Sequence, residues 1–418
     1  GGSFEVEALL SLIEGRLLRF HRSSAISASD ALQQARVLAS VSRQPQVEAR
    51  SLLELSYSAY DSEDYRLSTT YLQRAARLYH MLNDRHALAR TTLQQARLHE
   101  VTGAFAAAQT EFEQSLRIAT LLGDRSVEAF SLLELGIIHD VALGRHADAD
   151  DYFDQASEIA QLTGDPHLDG NIQRARGRNA MRVGMFDHAR RHFDHALDRA
   201  IDVRNDRAIG HSFACLAQLA LAAGDRDTAI DRAQQALQIA RDTGRQHAQA
   251  TLQLVLGGAH EQHGDGISAL SAYAQSLALA ELLAIPHIAC DALTGIANVS
   301  LSNDSFDLAG RVARQVADHL LQRRLAGCEE PGRNILVTYR ALTSTGDQLA
   351  SEVLRAGALL ISQRAARLPA QQGRRYVAAY ADRATILRHY QPITGDGECA
   401  GHGSSLPTSA LIVDANSD

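Results

Sequence analysis

A small residue recurs every 40 or 41 positions through most of this 418-residue chain, each time early in an amphipathic segment. The recurring residues are Ala28, Ser68, Ala108, Ala149, Ala189, Ala229, Ala269, Ala309 and Ala350. A period of this length is typical of arrays in which each unit packs only on its neighbours, so a single hydrophobic core does not limit the length of the chain. The sequence therefore predicts one repeat array over most of its length.

Two further positions repeat with the small residue and define one helical face. A larger apolar side chain follows it by four residues in most copies, at Leu32, Leu72, Phe112, Phe153, Phe193, Tyr273 and Leu354. A second small residue follows three positions later, at Ala35, Ala75, Ser115, Ala156, Ala196, Ala236 and Ser276. Residues spaced i, i+4 and i+7 share one face of an α-helix, where small residues let a neighbouring helix approach and the large residue fills the space between the helices.

Two turns interrupt each unit. A glycine stands five residues before the first small residue in five copies, at Gly103, Gly144, Gly184, Gly224 and Gly264, and Asp304 replaces it in the next copy. Glycine permits the positive φ that ends one helix and starts the next. A second turn, rich in Gly, Asn and Asp, lies at residues 82–84, 122–124, 163–165, 204–206 and 243–245. Each unit is therefore predicted to be a pair of antiparallel helices.

This pattern resembles the tetratricopeptide repeat in its longer form of forty residues. The family's Leu-Gly pair in the first helix stands at Leu135-Gly136 and Leu256-Gly257, and the recurring glycine, alanine and aromatic positions match its pattern. The family's aromatic residue at the start of the first helix and its terminal proline are missing from most copies. The resemblance implies an all-α, right-handed solenoid of about eight to nine antiparallel helix pairs, with the first helix of each pair on the concave surface.

The chain is predicted to have four segments. They are a tag scar with a degenerate N-terminal helix at 1–23, the repeat array at 24–365, a C-terminal capping helix at 366–390, and a tail or the start of a truncated output domain at 391–418. Within the array, Gly and Pro at 324–333 predict a longer loop. In the tail, the apolar run at 410–413 is typical of a short β-strand.

Composition excludes several partners. The net charge is −8 and all 41 basic residues are arginine, so the chain lacks a strongly basic footprint and nucleic acid is not expected. No apolar run is long enough to span a membrane, and no membrane partner is expected. The four cysteines are far apart in sequence without a Cys-x-x-Cys pair, which predicts neither a disulfide framework nor a zinc ribbon and is compatible with a cytoplasmic location.

Helical spacing predicts a ligand groove on the first helices of the repeats. The face offset from the packed positions carries the candidate ligand contacts Arg90, Arg97, Asn171, Arg174, Arg178, His211, Gln218, Asp291, Thr294 and Asn298. Such inner positions commonly contact an extended or helical peptide in the family that the chain resembles. The early arginines suit an acidic segment or a peptide carboxylate, through bidentate hydrogen bonds. The alternative is that they pair with neighbouring acidic residues such as Glu134.

No catalytic, cofactor or metal site is predicted. His188, His192 and His195 flank the packed positions of one outer helix, where a solvated polar face is expected. The run His-Glu-Gln-His at 260–263 has the wrong spacing for a zinc peptidase. A phosphate-binding loop of the Gly-x-x-x-x-Gly-Lys type requires a lysine, and Gly-x-Ser-x-Gly is absent from the sequence.

Two segments resemble parts of enzymes. "DALTGIAN" at 291–298 is similar to the opening of diguanylate cyclase domains, but no Gly-Gly-Asp/Glu-Glu-Phe loop follows it, and the segment keeps the register of the repeats. The tail is similar to the His-Gly strand of caspase-like CHAT peptidases, with His402 at the position of the catalytic histidine, but that family's cysteine would lie further downstream. The alternative interpretation is therefore the regulatory array of an enzyme whose catalytic domain is missing or incomplete.

The sequence favours a non-enzymatic scaffold that binds a protein or peptide in its concave groove, as the sensory or regulatory region of a bacterial signalling protein or transcription regulator. This interpretation rests on fold analogy and on the polar inner face. Ligand binding is expected to change the pitch of the array, because each interface contributes a small increment. A homodimer formed through the end repeats or the tail is a further expectation.

Overall fold

The structure, a computed structural model, describes residues 2–21, 25–323, 328 and 330–390. Twenty helices joined by short turns account for these residues, and no strand occurs among them. This confirms the predicted all-α fold. The strand predicted at 410–413 lies outside the described residues. Among the residues that the structure describes, none of the helices is both long and apolar enough to cross a lipid bilayer.

The chain divides into two compact units, Gly1–Leu135 (unit 1) and Gly136–Asp418 (unit 2). The helices up to that division, which falls within α7, are α1 (Gly2–His21), α2 (Ala25–Val41), α3 (Pro45–Asp61), α4 (Tyr65–Met81), α5 (Arg85–Val101), α6 (Phe105–Leu122) and α7 (Arg125–Val141). In unit 1, α1 pairs with α2, α3 with α4 and α5 with α6.

Unit 2 continues the same arrangement. Its helices are α8 (His146–Thr163), α9 (Pro166–Arg182), α10 (Phe186–Asp202), α11 (Asp206–Ala222), α12 (Arg226–Asp242), α13 (Gln246–His263), α14 (Gly266–Leu282), α15 (Pro286–Ser302), α16 (Phe306–Arg323), α17 (Pro331–Ser344), α18 (Leu349–Ala366), α19 (Ala370–Ala378) and α20 (Ala381–His389). Odd- and even-numbered helices pair consecutively from α9/α10 to α17/α18. These pairs confirm the helix-pair repeat predicted from the forty-residue period.

Glycines on the first helices of unit 2 meet aromatic rings from the second helices. A Cβ placed on Gly136 would lie 2.5 Å from Cε1 of Phe153, and one on Gly177 would lie 2.5 Å from Cδ1 of Phe193. Both rings are fully buried. Where the second helix carries Ala233 in place of the aromatic residue, forty residues after Phe193, the first helix carries alanine, not glycine, at the matching position. The size of one residue thus compensates for the size of the other, and the helices pack without voids.

The turns within the repeats have the backbone conformation that their residues predict. Gly184, Gly224 and Gly264 have φ values of 81°, 79° and 83°, which favour glycine. Asp304, at the same position of the next repeat, has φ 56°. Aspartate is one of the few other residues that tolerate this region, because its short polar side chain bonds locally.

The C-terminal cap differs from the prediction of one helix. It consists of two short helices, α19 and α20, because Tyr380 between them is extended, at φ −129° and ψ 119°. The Tyr380 hydroxyl donates a hydrogen bond to the Met181 carbonyl at 3.3 Å, which holds the break in place. The predicted loop at 324–333 also ends earlier than expected, because α17 begins at Pro331. Proline suits the first turn of a helix, where its missing N–H has no partner to lose.

The C-terminal helices of unit 2 contact the beginning of the same unit; we call this the C-terminal contact. The Arg383 guanidinium donates to the carbonyl of Arg182 at 2.9 Å and to that of Tyr376 at 2.8 Å, and it stacks 3.9 Å from the centre of the Tyr376 ring. Arg367 donates to the Leu143 carbonyl at 3.0 Å. Residues about two hundred positions apart are thereby joined.

A buried polar network lies beneath this contact. Asp140 pairs with Arg182 and with Nδ1 of His146 at 2.7 Å, and Asn179 donates to the His146 carbonyl at 3.0 Å. The His146 ring in turn packs 5.6 Å from the centre of the Tyr376 ring. Burial alone would raise the pKa of Asp140, but Arg182 and the hydrogen bond with His146 outweigh it and hold the pKa below 3.8.

The glycine–aromatic packing predicts the effect of Gly177→Ala. The added methyl group overpacks the interface with Phe193, at a cost of about 3 kcal/mol, the upper end for a contact this short. Better helix propensity offsets only about 1 kcal/mol of this. We expect a lower thermal unfolding midpoint by circular dichroism, with partial recovery in Gly177→Ala/Phe193→Leu, where the smaller side chain relieves the overlap. An unchanged midpoint in the single variant would contradict this account of the packing.

The buried network predicts a pH-dependent effect of Asp140→Asn. Because the folded-state pKa of Asp140 is depressed, its carboxylate stabilises unit 2 above about pH 4 and loses this effect as the pH falls through the folded-state value. At pH 7 the variant leaves Arg182 buried without its charge partner, at a cost of about 3–5 kcal/mol. The difference in thermal midpoint between the variant and the wild type should therefore be smaller at pH 3 than at pH 7. A difference of equal size at both pH values would argue against the ion pair.

Candidate peptide-binding groove

Basic side chains from three successive first helices of unit 2 lie close together. Arg174 and Arg178 come from α9, and Arg207 and His211 come from α11, on the face opposite to the packed small residues. His247 joins them from α13. All five are half-buried, so they lie deep in the unit while solvent still reaches them. We call this group the basic cluster.

The charges of the basic cluster act on one another. Burial lowers the pKa of His211 well below 6.5, and Arg174, Arg207 and Arg245 add to this effect. Burial also lowers the pKa of Arg174 to about 10. Cys215 acts to raise this pKa, whereas Arg207 lowers it further. At pH 7, His211 is therefore neutral while Arg174 keeps its charge. The charged Arg174 guanidinium would attract an anionic group placed here.

Amide side chains lie on the same faces as the basic cluster. Asn171 accepts a hydrogen bond from the Arg174 guanidinium, which also donates to the Gly170 carbonyl at 3.4 Å. Gln218, in the first helix of the next repeat (α11), is half-buried. An amide group both donates and accepts hydrogen bonds, so it can bind the N–H and C=O groups of an extended peptide.

Arg90 and Arg97 in unit 1 have a different role. Arg90 lies 3.0 Å from a carboxylate oxygen of Asp124, and Nε of Arg97 lies 3.1 Å from Glu134. Burial alone would lower the pKa of Arg97, but Glu134 outweighs it and places the pKa above its usual range. Each of these two arginines is therefore paired with an acidic neighbour, as the alternative interpretation expects.

On α15, two of the three predicted groove residues are covered. Thr294 is fully buried, and its hydroxyl donates to the Cys290 carbonyl at 2.9 Å. Asp291 is 8% exposed and accepts a hydrogen bond from Asn334 of α17 at 2.6 Å. The prediction that Asp291 and Thr294 face a ligand is wrong in this structure, because both are buried and α17, which packs against α15, places Asn334 against Asp291. Asn298 is half-buried.

Asn298 belongs to a polar network that the sequence analysis missed. It donates to Glu261 at 2.8 Å, and Glu261 also pairs with Arg333 at 2.8 Å and accepts from the Tyr273 hydroxyl at 2.8 Å. Burial alone would lower the pKa of Arg333, but Tyr273 and Glu261 outweigh it and raise the pKa. The sequence did carry a signal, because Gly258 stands forty residues after the predicted groove residue Gln218, and Glu261 follows it by three residues on the same helical face.

The histidines of α10 contact α9. Nδ1 of His192 lies 2.7 Å from the Gln173 side-chain oxygen, and His195 lies 3.7 Å from Asp169. Burial lowers the pKa of His192 to about 4, and Arg176 acts in the same direction. The expectation of a solvated face is therefore wrong for His192, whereas His188 is exposed and His195 keeps 44% of its side chain exposed.

Solved structures with a similar fold include peptide-bound regulators. The Rap conjugation gene regulator of the plasmid pLS20, in complex with the Phr* peptide, is 15% identical with a TM-score of 0.56, over 67% of this chain and 75% of that one. A Rap protein complexed with competence and sporulation factor is 14% identical with a TM-score of 0.56, over 77% and 98%. NprR in complex with its cognate peptide NprX is 14% identical with a TM-score of 0.54, over 80% and 94%. At these identities the similarity concerns the fold.

Sequence comparison gives a more direct assignment. Residues 127–202 match the family model of the tetratricopeptide repeat. No curated protein matches the sequence significantly. The matched segment runs from α7 into α10 and contains the Gly136–Phe153 and Gly177–Phe193 contacts. Residues 127–202 are therefore tetratricopeptide repeats by sequence, and the same period and helix pairs continue through the rest of the array.

Proposed function

We propose that unit 2 binds an extended peptide carrying at least one carboxylate, and that the chain acts as the sensory or regulatory region of a bacterial signalling protein. The basic cluster on α9, α11 and α13 carries this proposal, because it gathers half-buried basic side chains from the first helices of three successive repeats. A peptide carboxylate compensates their charge, and the arginine guanidinium suits it geometrically. Asn171 and Gln218 would bind the peptide main chain.

The fold comparisons support a peptide rather than another ligand. The three similar structures were solved with Phr*, with competence and sporulation factor, and with NprX, and both Phr* and NprX are peptides. The paired arginines of unit 1 are less suited to the task, since Asp124 and Glu134 already neutralise them. We therefore assign the peptide to unit 2.

The proposed activity is binding without catalysis. The segment that resembles a cyclase, residues 291–298, lies within helix α15 of the array, and His402 lies outside the described residues. The enzymatic alternative thus gains no support from the fold. The homodimer and the cytoplasmic location expected from the sequence stay predictions.

Binding of labelled synthetic peptides tests the proposal. We would measure fluorescence anisotropy with libraries of octapeptides that are rich in Asp and Glu, neutral, or rich in Arg, each with a free or an amidated C-terminus. We expect the acidic library to bind and the basic one not to bind, and added salt to weaken the interaction. If the free C-terminus supplies the carboxylate, amidation will abolish binding of the neutral library.

The matched variants are Arg174→Ala in the groove and Arg190→Ala on the exposed face of α10. Losing one charge-assisted contact should weaken binding by about 2–3 kcal/mol, roughly 30- to 150-fold, for Arg174→Ala alone. Equal affinity of both variants for the acidic library would refute the assignment of the site, and so would a preference for basic peptides.

Peptide binding should also change the titration of His211. Its pKa is lowered by burial and by positive neighbours, and a bound carboxylate opposes those neighbours. We therefore expect the pKa of His211 to rise on binding, and affinity to increase as the pH falls through the pKa of the complex. Side-chain NMR of labelled histidine measures this, with exposed His188 as the internal reference. A bound-state pKa equal to the free value would place the carboxylate elsewhere.

A further inference from the structure

Three side chains that commonly bind metals lie side by side in unit 2. They are Cys290 in α15, His319 in α16 and Cys328 just before α17, and one ligand atom of each lies within 4.8 Å of the other two. Cys290 is 2% and Cys328 is 4% exposed, while His319 is half-buried. This cluster is separate from the basic cluster and plays no part in the proposed peptide binding.

The donor set is the one that zinc prefers. Zinc binds thiolates at about 2.3 Å and imidazole nitrogen at about 2.0–2.1 Å, which places the ligand atoms of a tetrahedral site about 3.3–3.8 Å apart. The present ligand atoms lie at most 4.8 Å apart, which exceeds these separations by at most about 1.5 Å, an adjustment within the reach of side-chain torsions. Two sulfur ligands also disfavour magnesium and calcium, which take oxygen donors.

The surroundings of the cluster suit a bound cation. The side-chain amide of Asn334 donates to Asp291 at 2.6 Å and its nitrogen lies 4.0 Å from Sγ of Cys290. An amide donor of this kind commonly orients a metal-bound thiolate from outside the coordination sphere. Apolar residues of the same core, including Leu320 and Ile335, enclose the site and limit the access of water.

We infer that Cys290, His319 and Cys328 form a zinc site with three protein ligands, whose fourth position is left for a water molecule. The two thiols lose their protons to solvent as the metal binds, and His319 binds through a neutral imidazole nitrogen. Solvent reaches the site from the side of His319, the least buried of the three ligands.

The site would compensate for an irregularity in the array. The first helix α15 begins forty residues after α13, whereas α17 begins forty-five residues after α15. A regular repeat turn therefore does not position the start of α17. A zinc ion shared by α15, α16 and Cys328 would fix that start, and with it Arg333 and Asn334, which contact Glu261 and Asp291.

Metal titration of the full chain tests the inference. The reduced protein is freed of metal with a chelator, the chelator is removed, and Co²⁺ is added as a spectroscopic probe. We expect one Co²⁺ per chain, a thiolate-to-cobalt charge-transfer band in the near ultraviolet, loss of the band when Zn²⁺ is added, and a higher thermal midpoint with Zn²⁺.

Cysteine and histidine variants locate the site. Cys290→Ser and Cys328→Ser should each abolish the charge-transfer band, and His319→Gln should weaken binding by at least about tenfold. The control Cys215→Ser/Cys399→Ser, which changes the other two cysteines, should bind like the wild type. Circular dichroism checks folding, and His319→Gln, at the least buried ligand, carries the test if a cysteine variant misfolds.

Three outcomes would overturn the inference. The first is the absence of a charge-transfer band in the reduced wild-type chain. The second is loss of the band in the Cys215/Cys399 control together with its retention in Cys290→Ser and Cys328→Ser. The third is a Cys290–Cys328 disulfide, found by mass spectrometry in protein purified without reductant, in a chain that binds no Zn²⁺ after reduction.

Discussion

The structure depends on how closely the two helices of a repeat approach each other. At Gly136 and Gly177 the absence of a Cβ lets the rings of Phe153 and Phe193 lie against the backbone of the partner helix. Tyr273 extends this principle, because it fills the space beside both Gly257 and Gly295 and thereby joins successive repeats. Since the rings hold the helix spacing, they also fix where the inner faces of α9, α11 and α13 place their polar side chains.

Local patterns allowed most of the fold to be predicted from the sequence. The period, the turn glycines and the packed positions are short-range signals, and each repeat confirms the next. The break at Tyr380 was not predictable in this way, because it depends on a hydrogen bond to Met181, 199 residues away. Nor was the start of α17 at Pro331, since the period changes at that point.

For the candidate site too, features set by local sequence were predictable and features set by distant residues were not. Helical spacing placed Arg174, Arg178 and His211 on one side of unit 2. It predicted the same role for Arg90 and Arg97, although Asp124, in the turn before α7, and Glu134, in α7, neutralise both. Spacing within one helix cannot show which helix packs over it, so the contact of Asp291 with Asn334 of α17 was not predicted. For the same reason, the sequence did not indicate that Cys290 and Cys328, which are 38 residues apart, are neighbours.

The C-terminal contact changes the mechanical properties of unit 2. An open stack of repeats is a spring, in which each interface bends independently and the far end moves freely. Once Arg383 and Tyr380 bind the carbonyls of Arg182 and Met181, the stack becomes a closed ring, whose interface angles must together bring the chain back to its start. In a ring, the angles at the helix interfaces are coupled, so narrowing at one interface requires widening at another.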